Sequence, residues 1–244
     1  MTEKIWHLRR CNLFEQLTPE QISRLESRSR SRTFQRKNPI YLPGDHAQDV
    51  LLMAAGRAKI CSLTEDGKQA IFGFIEPGEL FGELVVVGVG ERENYAEAVE
   101  KSTVIMIPGD ALLELMEELP RLSIGITKLI GMRRRRIERR LKNLLFRSNR
   151  QRIVHLLLEL VEQYGTRTPD GVLIRIKLSH QDLADIIGST RETVTVVLGN
   201  LQREGYVVTS RRKIVVVNLE RLAASVNETP PRLDRRPGLA PRIT

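Results

Sequence analysis

Arg191 and Glu192 are the side chains of this sequence best placed to act on another molecule, because of what precedes them. They sit in the run Leu178-Ser179-His180-Gln181-Asp182-Leu183-Ala184-Asp185-Ile186-Ile187-Gly188-Ser189-Thr190-Arg191-Glu192-Thr193-Val194. Ser179 reads as the cap of a first helix, with Asp182 in the capping-box position. Leu183, Ala184 and Ile187 share its inward face, where the small Ala184 lets a second helix approach. Gly188 permits a tight turn and Thr190 caps the second helix. Arg191 and Glu192 therefore emerge at a helix N-terminus. In a helix-turn-helix that end enters the major groove, where an arginine donates two hydrogen bonds to guanine O6 and N7 and a glutamate accepts from cytosine N4.

The chain that must position these residues has 244 amino acids, 41% of them hydrophobic, enough for one large or two ordinary domains with a buried core. No apolar run approaches the roughly 18 residues of a membrane span and Met1-Thr2-Glu3-Lys4 opens no signal-peptide pattern, so a cytoplasmic protein without membrane contact is expected. Two cysteines, Cys11 and Cys61, and four scattered histidines offer no metal-ligand spacing and no disulfide scaffold. Cys61, in an apolar run, reads as a core residue. There is no Gly-rich phosphate loop and no Ser/His/Asp or Cys/His constellation, so neither an enzyme nor a cofactor is expected. Charge is uneven: residues 133–244 hold 23 Lys and Arg against 11 Asp and Glu, while residues 1–132 hold 16 against 19. A basic half releases counterions from a polyanion, which favours nucleic acid over an anionic membrane surface.

Punctuation and periodicity predict an α+β protein. A short helix is expected from Pro19 to Glu26 under a Thr18 cap. From Thr33 to Ile107 short apolar runs alternate with turn signals such as Pro43-Gly44-Asp45, Pro77-Gly78-Glu79 and Pro108-Gly109-Asp110, the pattern of a β roll or jelly roll. Its clearest hairpin joins residues 58–63 to 70–75. After a helix around Leu112, Leu113, Leu115 and Met116, the stripe Leu122, Ile126, Leu129, Ile130, Ile137, Leu141 and Leu144 predicts a helix over about 121–145, roughly 37 Å long. That is too long to be covered by a small β roll. The same helix of a second chain is the natural cover, and packing within one chain the other. Ile153 to Tyr164 form a further helix ended by Gly165. A strand over Val172–Leu178, the two helices above, and a hairpin of Tyr206–Thr209 with Lys213–Val217 complete a winged helix-turn-helix. The domains are then a β roll over 1–119, for which an effector or sensor role follows only from the resemblance given below, a dimerisation helix and hinge over 120–146, the winged helix over 147–226, and a proline- and arginine-rich tail over 227–244 that reads as disordered.

The run Leu178–Val194 resembles the helix-turn-helix signature of the CRP/FNR transcription regulators, and the likeness extends over about residues 10–220. Gly78-Glu79-Leu80-Phe81-Gly82-Glu83-Leu84 resembles the opening of that family's phosphate cassette, and the Arg-rich helix its dimer helix. The resemblance implies a homodimer on an inverted-repeat operator in double-stranded DNA, with RNA polymerase as a protein partner. It implies that Arg191 and Glu192 read bases, that Ser179, Gln181, Ser189, Thr190 and Thr193 hold phosphates and set register, and that Thr195 also belongs to the DNA-binding set. The family's second arginine, five residues after the first, is here Val196, so the half-site should differ there. Regulation would reorient the DNA-binding domains about a hinge near Phe146-Arg147-Ser148.

The effector end departs further. Glu83 matches the glutamate that binds ribose in the family's cyclic-nucleotide binders, within Gly82-Glu83-Leu84. The arginine-serine pair that meets the cyclic phosphate aligns with Asn94-Tyr95, and the hydroxyl pair that meets the base aligns with Ile137-Glu138. Without the arginine, and with Glu93 and Glu97 nearby, a phosphate lacks its charge partner. Control by cyclic AMP is therefore not expected. A cyclic-nucleotide-dependent regulator is the alternative, with Arg92 substituting from a bulged loop. In a vacated pocket Val85, Val86, Val87, Val89 and Tyr95 would form an apolar lining for a nonpolar ligand or a filled core, and Glu83 would close a turn by accepting backbone amides. The cluster Arg133-Arg134-Arg135-Arg136 with Arg139 and Arg140 reads as a solvated face, a phosphate contact or a contact to an acidic effector or partner. Four successive residues fan over about 300°, so one arginine must approach the seam, with Glu138 or a bound anion as its partner.

Overall fold

The computed structural model describes residues 3–65 and 67–233. They form two compact units that divide within a long helix, after Arg135.

In the first unit α1 (Glu3–Arg9), a 3-10 turn (Asn12–Phe14) and α2 (Pro19–Arg28) precede the strands β1 (Arg30–Phe34), β2 (Pro39–Tyr41), β3 (Asp49–Ala55), β4 (Ala58–Leu63), β5 (Gln69–Ile75) and β6 (Leu80–Phe81). A 3-10 turn (Glu83–Val87), β7 (Tyr95–Ala98), β8 (Ser102–Pro108), α3 (Gly109–Glu118) and the start of α4 (Pro120–Phe146) follow. The strands form two four-stranded antiparallel sheets, β1-β8-β3-β6 and β2-β7-β4-β5. Strand β3 shows why both faces of the first sheet are covered. Its alternate residues Leu51 and Met53 meet Ala58, Ile75, Ala96 and Ala98 of the second sheet. Val50, Leu52 and Ala54 point the other way, onto Leu8, Phe14, Ile22, Leu25, Leu112, Leu122 and Ile126 of the helical layer. The predicted hairpin is β4–β5, with Leu63 opposite Gln69. Helix α1 has no counterpart in the sequence reading: seven residues are too few for a periodic stripe, and its anchor Leu8 becomes apolar core only through the fold.

The second unit holds the end of α4, then α5 (Asn149–Tyr164), β9 (Gly165–Thr168), β10 (Gly171–Ile174), α6 (His180–Ile187), α7 (Arg191–Arg203), β11 (Val207–Ser210), β12 (Lys213–Val216) and α8 (Leu219–Ala224). Its sheet runs β11-β12-β10-β9, all antiparallel. The strand expected over Val172–Leu178 stops at Ile174. Ile176 and Leu178 alternate like strand residues because both plug the core, but neither has a partner strand. Gly165 begins β9 in an extended conformation instead of closing α5 with a left-handed cap.

The last turns of α4 belong with the second unit. Glu159 of α5 receives Arg140 at 3.1 Å and Arg136 at 3.6 Å. Arg152 donates to the carbonyls of Leu144 at 2.7 Å and Arg147 at 3.0 Å, completing the end of α4. The expected hinge at Phe146-Arg147-Ser148 is thus spanned by hydrogen bonds, and Ser148 itself caps α5 with Gln151. The tail expected to be disordered from Asn227 is held at its start: the Glu228 amide donates to Ala223, and its carboxylate lies 3.6 Å from Arg147 and 3.7 Å from His155. Residues 234–244 of that expectation lie outside the described residues.

Candidate nucleic-acid interface and effector pocket

Three hydrogen-bonded turns build the helix-turn-helix. The Ser179 hydroxyl accepts from the Asp182 amide at 3.1 Å, while the Asp182 carboxylate accepts from the Ser179 amide at 2.7 Å and hydroxyl at 2.6 Å. Gly188 ends α6 at φ 63°, and a Cβ there would stand 2.7 Å from Cδ2 of Leu144, so both its conformation and its neighbour require glycine. The Thr190 hydroxyl accepts from the Thr193 amide at 3.2 Å and starts α7. Helix α7 is seated by Val194, Leu198 and Leu201, all buried.

The residues named from sequence are placed along the motif: Ser179 as the cap of α6 and Gln181 on its first turn, Ser189 and Thr190 in the turn, and Arg191, Glu192, Thr193 and Thr195 along the first turns of α7. Gln181 donates to Asp185 at 2.7 Å. Arg191 is exposed, and its guanidinium makes no hydrogen bond or ion pair with any other described residue. The helix N-terminal amide and the Thr190 hydroxyl hold the Glu192 carboxyl below its ordinary range, so it stays an anionic acceptor. The wing turn between β11 and β12 adds Arg211 and Arg212, exposed, with Arg212 at φ 57°.

The residues expected to line an effector pocket are organised differently. Glu83 is 5% exposed at the head of its 3-10 turn, and its partner is Arg133 of α4, which donates both to the Glu83 carboxylate and to the Leu80 carbonyl. This corrects one expectation: Glu83 closes on a guanidinium and not on backbone amides. Of the arginine cluster, Arg133 meets Glu83, while Arg136 and Arg140 meet Glu159. Arg92 lies over the Tyr41 ring at 4.8 Å and donates to the carbonyls of Gly82 at 3.0 Å and Asp49. Burial lowers the Arg92 pKa, opposed by Tyr41 and the carboxylates of Asp49, Glu83 and Asp45. Gly82, at φ 67°, admits it: a Cβ there would stand 2.5 Å from its Nη1. Burial pushes the Tyr41 hydroxyl up to about 12. Tyr95 is pushed up to about 12 by burial and by Glu97, to which it donates at 3.1 Å. Asn94 and Leu84 are half-buried. The valines form no single lining, since Val86 is buried and Val87 exposed. Ile137 is exposed on α4 beyond the division after Arg135, and Glu138 lies beyond it too. Cys61 is fully buried, as a core residue would be.

Residues 31–119 match the family model of the cyclic nucleotide-binding domain, and residues 151–225 that of the Crp-like helix-turn-helix domain. A global nitrogen regulator of Synechocystis is 32% identical over 188 residues, 76% of this chain and 84% of that one. The chain belongs to the CRP/FNR family of transcription regulators. A cyclic AMP receptor protein of Thermus thermophilus is 31% identical over 80% of this chain and 87% of its own length. A solved CRP-family transcriptional regulator of the same organism, 28% identical, superposes with a TM-score of 0.67 over 82% of this chain and 98% of its own. Two relatives named for different signals are thus equally similar to this CRP/FNR protein, and overall likeness does not choose its effector.

Three side chains with a part in these sites escaped the sequence reading. His180 joins the two helices of the motif through a 2.8 Å hydrogen bond between its Nδ1 and Thr195 Oγ1; its place between two named contacts was the available signal. Arg152 carries none, because the carbonyls it bridges lie on other elements. Arg133 was visible as one of four arginines, but its choice of Glu83, 50 residues away, is a product of the fold.

Proposed function

We propose that this CRP/FNR regulator binds an inverted-repeat operator in double-stranded DNA as a homodimer, through the first turns of α7, and that it needs no cyclic nucleotide to do so. The observation that carries the reading is the outward pair at the N-terminus of α7: Arg191, exposed and in no hydrogen bond or ion pair among the described residues, and Glu192 held anionic beside it, on a helix seated by Val194, Leu198 and Leu201. Arg191 then reads a guanine and Glu192 the cytosine of a neighbouring pair, while Ser179, Gln181, Ser189, Thr190 and Thr193 face the phosphates and set register, and Thr195 lies on the same DNA-facing stretch. The dimer is supported by Ile137, Leu141 and Leu145, exposed apolar residues at four-residue steps on α4. RNA polymerase is the protein partner such a regulator meets at a promoter.

Independence from cyclic nucleotides rests on the pocket. A ribose hydroxyl would have to displace the Arg133 guanidinium from Glu83, and a phosphate would find Arg92 already engaged. Breaking a buried, hydrogen-bonded pair without replacing both partners is costly.

A duplex selected from a random pool and titrated by fluorescence anisotropy tests both parts. Expected are a footprint of two half-sites about 34 Å apart, one helical turn, and an affinity unchanged by cyclic AMP or cyclic GMP. Protection of a single, nonpalindromic half-site would refute the dimeric geometry. Binding that appears only with a cyclic nucleotide would instead establish the nucleotide-dependent alternative.

A further inference from the structure

Helix α7 has a buried side and an open one. Arg191, Glu192, Thr195, Val196 and Gly199 are exposed, and steps of three and four residues align them into one stripe, apart from the buried arc of Val194, Leu198 and Leu201. Chemistry changes along that stripe. Its first turn is charged, with Arg191 and Glu192, and its second turn holds two β-branched residues, Thr195 and Val196.

The Thr195 hydroxyl is used internally on both counts. Its proton goes to the Arg191 carbonyl at 2.9 Å, so its oxygen accepts from Nδ1 of His180 at 2.8 Å. What Thr195 leaves outward is its methyl group. Val196 beside it is 62% exposed. A β-branched residue in an exposed helix position lowers helix propensity, and here no buried area offsets that cost. At the next turn Gly199 has nothing within 4 Å of where a Cβ would stand, so the stripe stays open.

We propose that the methyl groups of Thr195 and Val196 form an apolar step that reads the C5-methyl group of a thymine, one turn along α7 from the bases met by Arg191 and Glu192. The proposal rests on the DNA-binding reading above. Among the four bases only thymine carries a methyl group on the major-groove edge, and apolar side chains select it by contact. Both residues are stiff at χ1, so they lose little rotamer freedom on meeting it. Purines in that place would present N7 to groups that cannot donate, and cytosine an amino group to groups that cannot accept.

The test uses the full-length protein and its selected operator. Each thymine is replaced in turn by uracil, which differs only in lacking the methyl group, and affinity is measured by anisotropy. One thymine per half-site is expected to show a loss of about fourfold, the scale of one buried methyl group. In Val196→Ala the same replacement should cost less than about twofold, with discrimination at the guanine read by Arg191 and the melting temperature both retained. Selective binding that no uracil replacement weakens overturns the thymine contact while leaving the DNA-binding reading intact. Absence of selective binding to any duplex overturns the DNA-binding reading and this contact with it.

Discussion

The effector pocket and the open face of α7 use the same side chains to opposite ends. In the pocket, Glu83 and Arg133 close on one another and Arg92 is spent on two carbonyls and an aromatic ring. On α7, Arg191 keeps all its donors for solvent and Val196 keeps its methyl groups there. A guanidinium in water costs the fold nothing and is available to a ligand, whereas a buried one must be satisfied before the chain can fold around it. The family models matched at the two ends are those of a cyclic nucleotide-binding domain and a helix-turn-helix domain, and they differ in how far their charged side chains are already satisfied.

The comparison breaks most visibly at Arg191. Arg191→Ala is expected to cost about 1–3 kcal/mol of operator binding per half-site and to relax discrimination at one G·C pair. Affinity for random DNA should fall far less, and stability in urea should stay within about 0.5 kcal/mol of the parent, as for other solvated side chains. Equal losses on operator and random duplexes would make Arg191 a phosphate contact and remove the contrast with the pocket.

The same type of charge in the pocket should give the reverse result. Glu83→Leu leaves the Arg133 guanidinium, whose side chain is 28% exposed, beside a leucine. A loss of about 1–3 kcal/mol in urea unfolding is expected from the stranded donor. Adding Arg133→Met should restore most of it, since replacing both partners of a buried pair by apolar groups of similar volume is close to neutral. If Glu83→Leu unfolds like the parent, the pair is a surface contact and the argument against a displacing nucleotide weakens with it.

These two sites also differ in how far sequence alone revealed them. Ser179 with Asp182, Gly188, and Thr190 with Thr193 act within three or four residues of each other, so their hydrogen bonds can be read from a short window. The α+β order of elements was legible for the same reason, through alternation in β3, β4 and β5 and the long stripe of α4. What was not legible is choice of partner at a distance. Arg133 is one arginine among several until the β roll brings Glu83 to it, and Arg152 matters only because α4 and α6 end beside it, with Ile187 accepting at 3.5 Å. Local patterning also misled once, where Ile176 and Leu178 alternate without being paired.

The smallest expected effect lies between these extremes, at His155 of α5, a titratable group that is largely enclosed yet half satisfied. Its Nδ1 is 3.7 Å from Glu228, while Nε2 is buried without a hydrogen-bond partner. Burial lowers its pKa from the ordinary 6.5; the Arg147 charge lowers it further, and Glu228 opposes both. Above pH 6.5 the ring is neutral folded and unfolded alike. Below it the unfolded chain takes up a proton that the folded one resists, so stability falls as pH falls from 6.5 toward the lower folded value. Carboxylates such as Glu192, whose ordinary pKa is 4.5, begin to contribute only in more acid solution, which leaves a window above about pH 5 to the histidine. The urea midpoint should therefore decline gently from pH 7 to pH 5 in the parent chain and stay flat in His155→Gln. A decline of equal slope in both proteins would mean that Glu228 already compensates the burial, and that this histidine, like Arg133, is fully satisfied where it sits.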